Sequence, residues 1–559
     1  MVKIVSTNIT SPIGATTEQN YQAYIHDVSA LACYGSDKPY VVSLFTDEQR
    51  EQMAVDGFSS FESLVIRSVQ EALSHLNIDI TDNRTLFILS TTKANVAELS
   101  ADGADDRCYS APGEAAQKIA EHLGFSTIPF VVSNACISGI SAQIIAMRML
   151  EAGMYDKVVV CGADIISQFM IAGFQSFMSL SSQPCRPFDL ERNGLNLGEA
   201  AATVVLVNSS NAAGGDDSMR DAWTIVSGAA TNDAYHLSAP SPMGDGMQQA
   251  IHSAFEGFSA DMIATVNAHG TATMFNDQME SKAIEFSGLS DVFVSAYKGC
   301  FGHTLGAAGL LDTILTIRAL EDGIVPPVRG FETKGVSGRI SISNKCQPAD
   351  KRSFLKIISG FGGCNAATLY SKEQSLLQRI PDEACRELRV PKSTELQVVG
   401  EWRAESTFSP VQVYKQSIGD YPKFYKMDRL CQAAFVASEL ILRDCAEKPT
   451  SIILFNRSSS ILSDRKHLAA LDKFGLSSPS VFLYTLPNIM LGEIAIRHQI
   501  HGESSLYILE RRDEKLMQQV IDATIMFGES DCILIGWVDC PDEQTIEVEL
   551  KILKRKRLQ

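Results

Sequence analysis

The chain has 559 residues, of which 45% are hydrophobic, and a formal net charge of −18; it is longer than one typical domain and can bury two or three cores. The acidic balance excludes a general nucleic-acid binder, so an anionic partner needs a local basic patch, and the terminal KILKRKRLQ reads as such a patch or as a solvated tail. No apolar run reaches the length of a membrane span, the start MVKIVSTNITSPIGA has no long uncharged core, and the thirteen cysteines follow no repeated spacing, which predicts a cytoplasmic chain with reduced thiols, no zinc cluster and no membrane span.

Strands alternate with helices from the start, the pattern of a layered α/β fold. Residues 2–9 read as a strand and Ser11-Pro-Ile-Gly as its turn. Residues 58–76 carry apolar side chains at helical spacing, 85–89 form a short buried strand, and the polar stretch 93–112 reads as an exposed loop. The β-branched run at 130–132 leads to Cys136, and from there Ile140, Ile144, Met147 and Leu150 recur at helical intervals until Gly153 can end the helix. Cys136 thus lies at a helix N-terminus, where unpaired N–H groups and the helix dipole favour a thiolate. An isolated cysteine is more often a small buried hydrophobe, so a nucleophile needs further groups beside it. A buried strand follows at 157–161, and 185–207 combines a Pro-Phe-Asp turn, two glycines and a β-branched strand.

The low-complexity run NSSNAAGGDDSM at 208–219 marks a boundary, and three units are expected, at 1–210, 220–375 and 390–559. The second has a strand at 223–227, a helix near 247–258 and a strand-like run at 262–268 ending in His-Gly-Thr. It closes on a strand, a glycine-rich turn and another strand over 354–371. The third echoes the first. FESLVIRSVQEAL and RTLFILS return as MDRLCQAAFVASEL and TSIILFN at an offset of 366, and DKVVVCGAD returns as DCILIGWVD at 375. The larger offset carries Cys136 onto Arg511, so the echo has lost the cysteine; chance likeness between two α/β segments is the alternative reading.

Two histidines lie in matching contexts. His269 stands at a strand end in NAHGTATMFNDQMESKAI, and His303 stands between glycines in KGCFGHTLGAAGLLD, before a small-residue helix. One cysteine and two glycine-flanked histidines fit covalent thioester chemistry.

Together with SPIG, NACISG, RPFDLERNGLNLGEAA and GFGGCNA, taken in order, these segments resemble the β-ketoacyl-ACP synthases of the elongating type, the decarboxylating Cys-His-His branch of the thiolase-fold condensing enzymes. The resemblance covers about residues 1–375 and implies a thiolase-like layered fold of two related halves. The third unit then resembles another first half without catalytic residues. Cys136 is implied to take the acyl chain from an acyl carrier protein, while His269 and His303 hold the malonyl thioester and promote loss of carbon dioxide. Lys298 is implied to support the site electrostatically, the N–H groups of Cys136 and Phe361 to form an oxyanion hole, and Thr271 and Thr273 to touch the phosphopantetheine arm. No cofactor beyond that arm is implied, and a homodimer or a heterodimer with another ketosynthase-like subunit is. Against the family pattern, Asp312 stands where a glutamate is usual. The region between Leu89 and Cys136 lacks the Pro-Asn helix of a dimer interface, yet TLPNIMLGEIAIRHQI at 485–500 has one. A chain-length-factor-like or scaffold subunit is the alternative reading.

Overall fold

Short β-branched runs make the strands, and helices rich in small and apolar residues cover them. The computed structural model describes residues 1–35, 39–103, 106, 109–209, 221–377, 396–404, 408–443, 445–528 and 530–555. Most of the low-complexity run and the join at 378–395 lie outside these residues. The first unit contributes β1 (Val2–Thr10), β2 (Thr85–Ser90), β3 (Phe130–Val132), β4 (Lys157–Asp164) and β5 (Ala200–Asn208). The second contributes β6 (Trp223–Asn232), β7 (Thr265–Asn267), β8 (Phe293–Ser295), β9 (Ser341–Ile342), β10 (Ser353–Gly360) and β11 (Cys364–Ser371). The third contributes β12 (Leu396–Arg403), β13 (Ser451–Asn456), β14 (Ser504–Ile508), β15 (Cys532–Asp539) and β16 (Glu547–Arg555).

All of these strands lie in one sheet, in the order β9-β8-β7-β10-β11-β6-β1-β5-β4-β2-β3-β14-β13-β15-β16-β12. A five-strand pattern occurs in it three times: β1-β5-β4-β2-β3, β6-β11-β10-β7-β8 and β12-β16-β15-β13-β14 each pair antiparallel, antiparallel, parallel, parallel. The fold is therefore α/β with two related halves and a C-terminal unit built like the first. β3 pairs antiparallel with β14, Val132 opposite Tyr507. These residues stand at the 375 offset, so equivalent positions face each other and a local two-fold axis relates the first and third units. A subunit pairing through β3 would have to displace the chain's own β14.

The helices that position the site are α1 (Ser60–Leu73), α2 (Pro112–Leu123), α3 (Ser138–Glu151), α4 (Gln168–Ser176), α5 (Met274–Phe286), α6 (Ala308–Glu321), α7 (Arg429–Arg443), α8 (Ile489–His498) and α9 (Glu514–Phe527). α3 is buried from Ser138 to Leu150 because α6 and α9 both pack on it; a Cβ on Gly139 would lie 3.2 Å from Leu310 N of α6. Its counterpart α9 exposes Glu514, Lys515 and Gln518 while burying Leu516, Met517, Val520 and Ile521. Polar residues thus occupy a face that α3 keeps covered.

Three expectations are corrected. The stretch after β2 is not an exposed loop at its start: Lys93 is 5% exposed, and its Nζ donates to Asp464 Oδ1 at 2.5 Å and to Thr485 O at 2.6 Å. The third unit supplies these partners, so no local pattern announces them. The region before Cys136 does carry an interface helix, α2, whose Gly113 abuts Leu509 and Glu510. The basic terminus is strand rather than tail as far as Arg555, with Lys551, Lys554 and Arg555 paired to Glu549, Glu447 and Asp531; residues 556–559 lie outside the described residues.

Candidate active site

Cys136 and His303 follow equivalent strands, β3 and β8, and each leads into one of the crossing helices, α3 and α6. That crossing brings them together, with His303 Nε2 3.0 Å from Cys136 Sγ. The ring of His269, just after β7, stands edge-on to that of His303 at 4.9 Å between centroids and 85°. One donor atom from each of the three residues lies within 4.8 Å of the others. His303 Nδ1 accepts the Leu305 N–H at 3.1 Å, which puts the proton of a neutral ring on Nε2, facing the sulfur. His269 Nδ1 is buried with no partner among the described residues.

Burial, then the Lys298 charge, holds both imidazoles well below the usual histidine range. Neutral rings with an N–H to offer are what an enolate oxygen needs. For Cys136 the structure overturns the helix-end argument. The backbone N–H groups of Cys136 and Phe361 do face Sγ, but burial outweighs them and pushes the thiol up to about 12. A residual opening to solvent leaves the side chain only partly exposed. The resting group is a thiol, with two N–H groups beside it where an acyl oxygen would come to lie.

Lys298 Nζ donates to His269 O at 2.6 Å and lies 3.3 Å from Asp312 Oδ2. Despite its shorter side chain, Asp312 also holds a second lysine, Lys356, at 2.7 Å. All three are buried, and burial pushes Lys356 down to about 8. Thr271 and Thr273 hydroxyls bond each other at 2.9 Å at the site's approach, Thr271 buried and Thr273 partly open. Phe361 sits in the glycine turn between β10 and β11, where Gly362 (φ 94°) and Gly363 (φ 74°) adopt backbone that other residues rarely take. Its ring packs on Phe177, 5.4 Å between centroids.

Sequence reasoning missed Lys356, whose signal was a lone lysine in the apolar strand FLKIISG. It also missed Glu280, one turn after Asp277 on α5. Glu280 accepts the N–H groups of His269 and Gly270 at 2.7 and 2.8 Å, and burial, with Asp277 alongside, pushes it to about 7. Asn134 Oδ1 accepts the Leu506 N–H of β14 at 2.8 Å, tying the residues just before Cys136 to the third unit. At the equivalent of Cys136 in that unit, Arg511 is 70% exposed beside Glu510.

Sequence models of the β-ketoacyl synthase N-terminal and C-terminal domains match residues 35–212 and 223–332. The chain is 30% identical over 276 residues to a putative mitochondrial 3-oxoacyl-[acyl-carrier-protein] synthase of Schizosaccharomyces pombe, covering 45% of this chain and 64% of that protein. It is 32% identical over 279 residues to the tetracenomycin polyketide synthase ketoacyl synthase alpha subunit of Streptomyces glaucescens, covering 47% and 65%. The chain spans less than two thirds of the length of these relatives. Among solved structures, the PfaC keto synthase–chain length factor superposes with a TM-score of 0.77 at 13% identity, covering 99% of this chain and 78% of that one. The ketosynthase ApeO in complex with its chain length factor ApeC, from Xenorhabdus doucetiae, gives 0.55 at 24%, covering 66% and 97%. The chain belongs to the β-ketoacyl synthase family.

Proposed function

We propose that the protein is a β-ketoacyl-[acyl-carrier-protein] synthase that condenses an acyl thioester with malonyl-ACP, in fatty-acid, polyene or polyketide synthesis in the cytoplasm. The observation that carries this reading is the cluster of Cys136 Sγ, His303 Nε2 and His269, with the N–H groups of Cys136 and Phe361 facing the sulfur. The Cys136 sulfur attacks the acyl carbonyl, whose oxygen takes those two N–H groups. The carrier's phosphopantetheine thiol leaves with the proton, and the acyl group stays on Cys136. Malonyl thioester then places its carbonyl oxygen against the histidine N–H groups. Its carboxylate C–C bond breaks to release carbon dioxide, and the electron pair goes into an enolate that the two rings stabilise. The enolate carbon attacks the acyl-Cys136 carbonyl, the new C–C bond forms, the C–S bond breaks, and the sulfur regains a proton.

The third unit is proposed to be a fused, noncatalytic partner for the first, a role like that of the chain length factors named in the neighbouring structures. Arg511 at the nucleophile's equivalent position favours that role.

Cys136→Ala is expected to reduce condensation to background while sparing malonyl-ACP decarboxylation, which the histidines carry. Because both rings are already neutral, that decarboxylation should show no histidine titration near pH 6.5. Carbon dioxide release from the variant measures it. A fall centred near pH 6.5 on acidification, or condensation that survives the substitution, would contradict the assignment.

A further inference from the structure

The third unit reaches the nucleophile's surroundings with a polar side chain to which the resemblance gives a place in an interface helix and no part in the chemistry. Asn488, at the start of α8, is 3% exposed, and its Nδ2 donates to Phe361 O at 2.8 Å. The same nitrogen lies 4.0 Å from Cys364 Sγ and would be 2.8 Å from a Cβ on Gly362, so the amide lies against the glycine turn. Its Oδ1 is buried without a partner among the described residues. A buried unsatisfied acceptor is destabilising, whereas an apolar residue of similar size would carry no such cost.

The local two-fold makes the comparison internal. At the 375 offset Asn488 corresponds to Gly113, the second residue of α2, which abuts Leu509 and Glu510 on the side that has no cysteine. There a Cβ would already lie 2.4 Å from Leu509 C. The chain therefore has an amide where the opposing unit carries the nucleophile, and no side chain where it does not. The turn that Asn488 touches has left-handed backbone at Gly362 and Gly363 and donates the Phe361 N–H toward Sγ.

We propose that Asn488 is a positioning residue for the acyl-transfer half of the reaction: its Nδ2–H holds the Phe361 carbonyl and thereby fixes the turn that presents the Phe361 N–H to the acyl oxygen. This rests on the reading of the site as a decarboxylating condensing centre. It separates the two half-reactions, because among the described residues the Asn488 side chain bonds to Phe361 and Cys364 and not to the decarboxylation donors His269 and His303.

The test uses the full chain with Asn488→Ala and Asn488→Asp, each assayed for acyl transfer to Cys136 from acyl-ACP at saturating donor and for malonyl-ACP decarboxylation. Asn488→Ala is expected to slow transfer at least about tenfold, the scale of losing a support for one oxyanion donor, with decarboxylation within about twofold of the parent. Asn488→Asp has nearly the same shape and lacks the donor when ionised. Its transfer, relative to the parent, should fall at about pH 8 and recover toward pH 6 as the buried acid protonates and regains an O–H to donate. A parent that works while both variants transfer at its rate overturns the proposal. So does a loss shared equally by the two half-reactions, or an Asn488→Asp deficit that does not change with pH. A parent with neither half-reaction retires the underlying reading, and this proposal with it.

Discussion

Removing residues 378–559 is expected to leave a chain that does not stay folded in solution. The first unit would lose β14, which pairs with β3. α3 would lose α9, so Ile145, Met149 and Leu150, which share a core with Leu516, Met517, Val520 and Ile521, would face water. Each such side chain contributes about 1.5–3 kcal/mol when buried, and native domains stand only about 5–15 kcal/mol above unfolding. Two buried cations lose their partners as well: Lys93 loses Asp464, and Arg148 loses Glu503, which it meets at 2.6 Å. An exposed strand edge of this kind also invites aggregation. Size-exclusion chromatography with circular dichroism measures the result. A truncated chain that elutes as a folded monomer with full condensing activity would show that the third unit is dispensable.

Asp312→Asn should be the most damaging substitution outside the cysteine and histidines. It keeps the shape but removes the carboxylate that stands 3.3 and 2.7 Å from the buried cations Lys298 and Lys356. Breaking a buried pair in this way costs about 3–5 kcal/mol. The sign of the pH dependence follows from Lys356. Burial already depresses Lys356 to about 8 in the folded chain, below its unfolded value, so the unfolded state binds more protons and stability rises with pH. Asp312 is what raises Lys356 against burial, so its loss depresses Lys356 further, and the variant's deficit, measured by denaturant titration, should shrink as pH rises from about 7 toward 10. Lys298 also anchors His269 O, so decarboxylation should drop about 100-fold, the scale on which a small misplacement of a reacting group acts. Wild-type stability with wild-type decarboxylation would mean that the lysine pair needs no counter-charge.

The sequence already showed the organisation on which these predictions depend. Cys136 and His269 are legible because each follows a strand end with small residues around it, and His303 because glycines flank it before a small-residue helix, all local patterns. The repeat was visible because buried strands such as TSIILFN and DCILIGWVD keep their composition, and the 375 offset proved to be the register of the β3–β14 contact. Groups joined by tertiary contact were harder to see. Lys93 looks like a loop lysine until Asp464 is folded against it, and Asn488 lies far along the chain from the turn it holds. The thiolate inference failed for a related reason: a helix start is legible in sequence, but the burial that overrides it is supplied by the rest of the fold. Lys356 was legible in principle, since one charge in an otherwise apolar central strand requires a buried partner.

The central claim is that Cys136 is the acyl acceptor. Intact-protein and peptide mass spectrometry after incubation with acyl-ACP measures this directly. The account predicts one acyl group per chain, on the peptide containing Cys136, released by hydroxylamine and absent from Cys136→Ala. An acyl group on another residue, or one that persists in that variant, would contradict it.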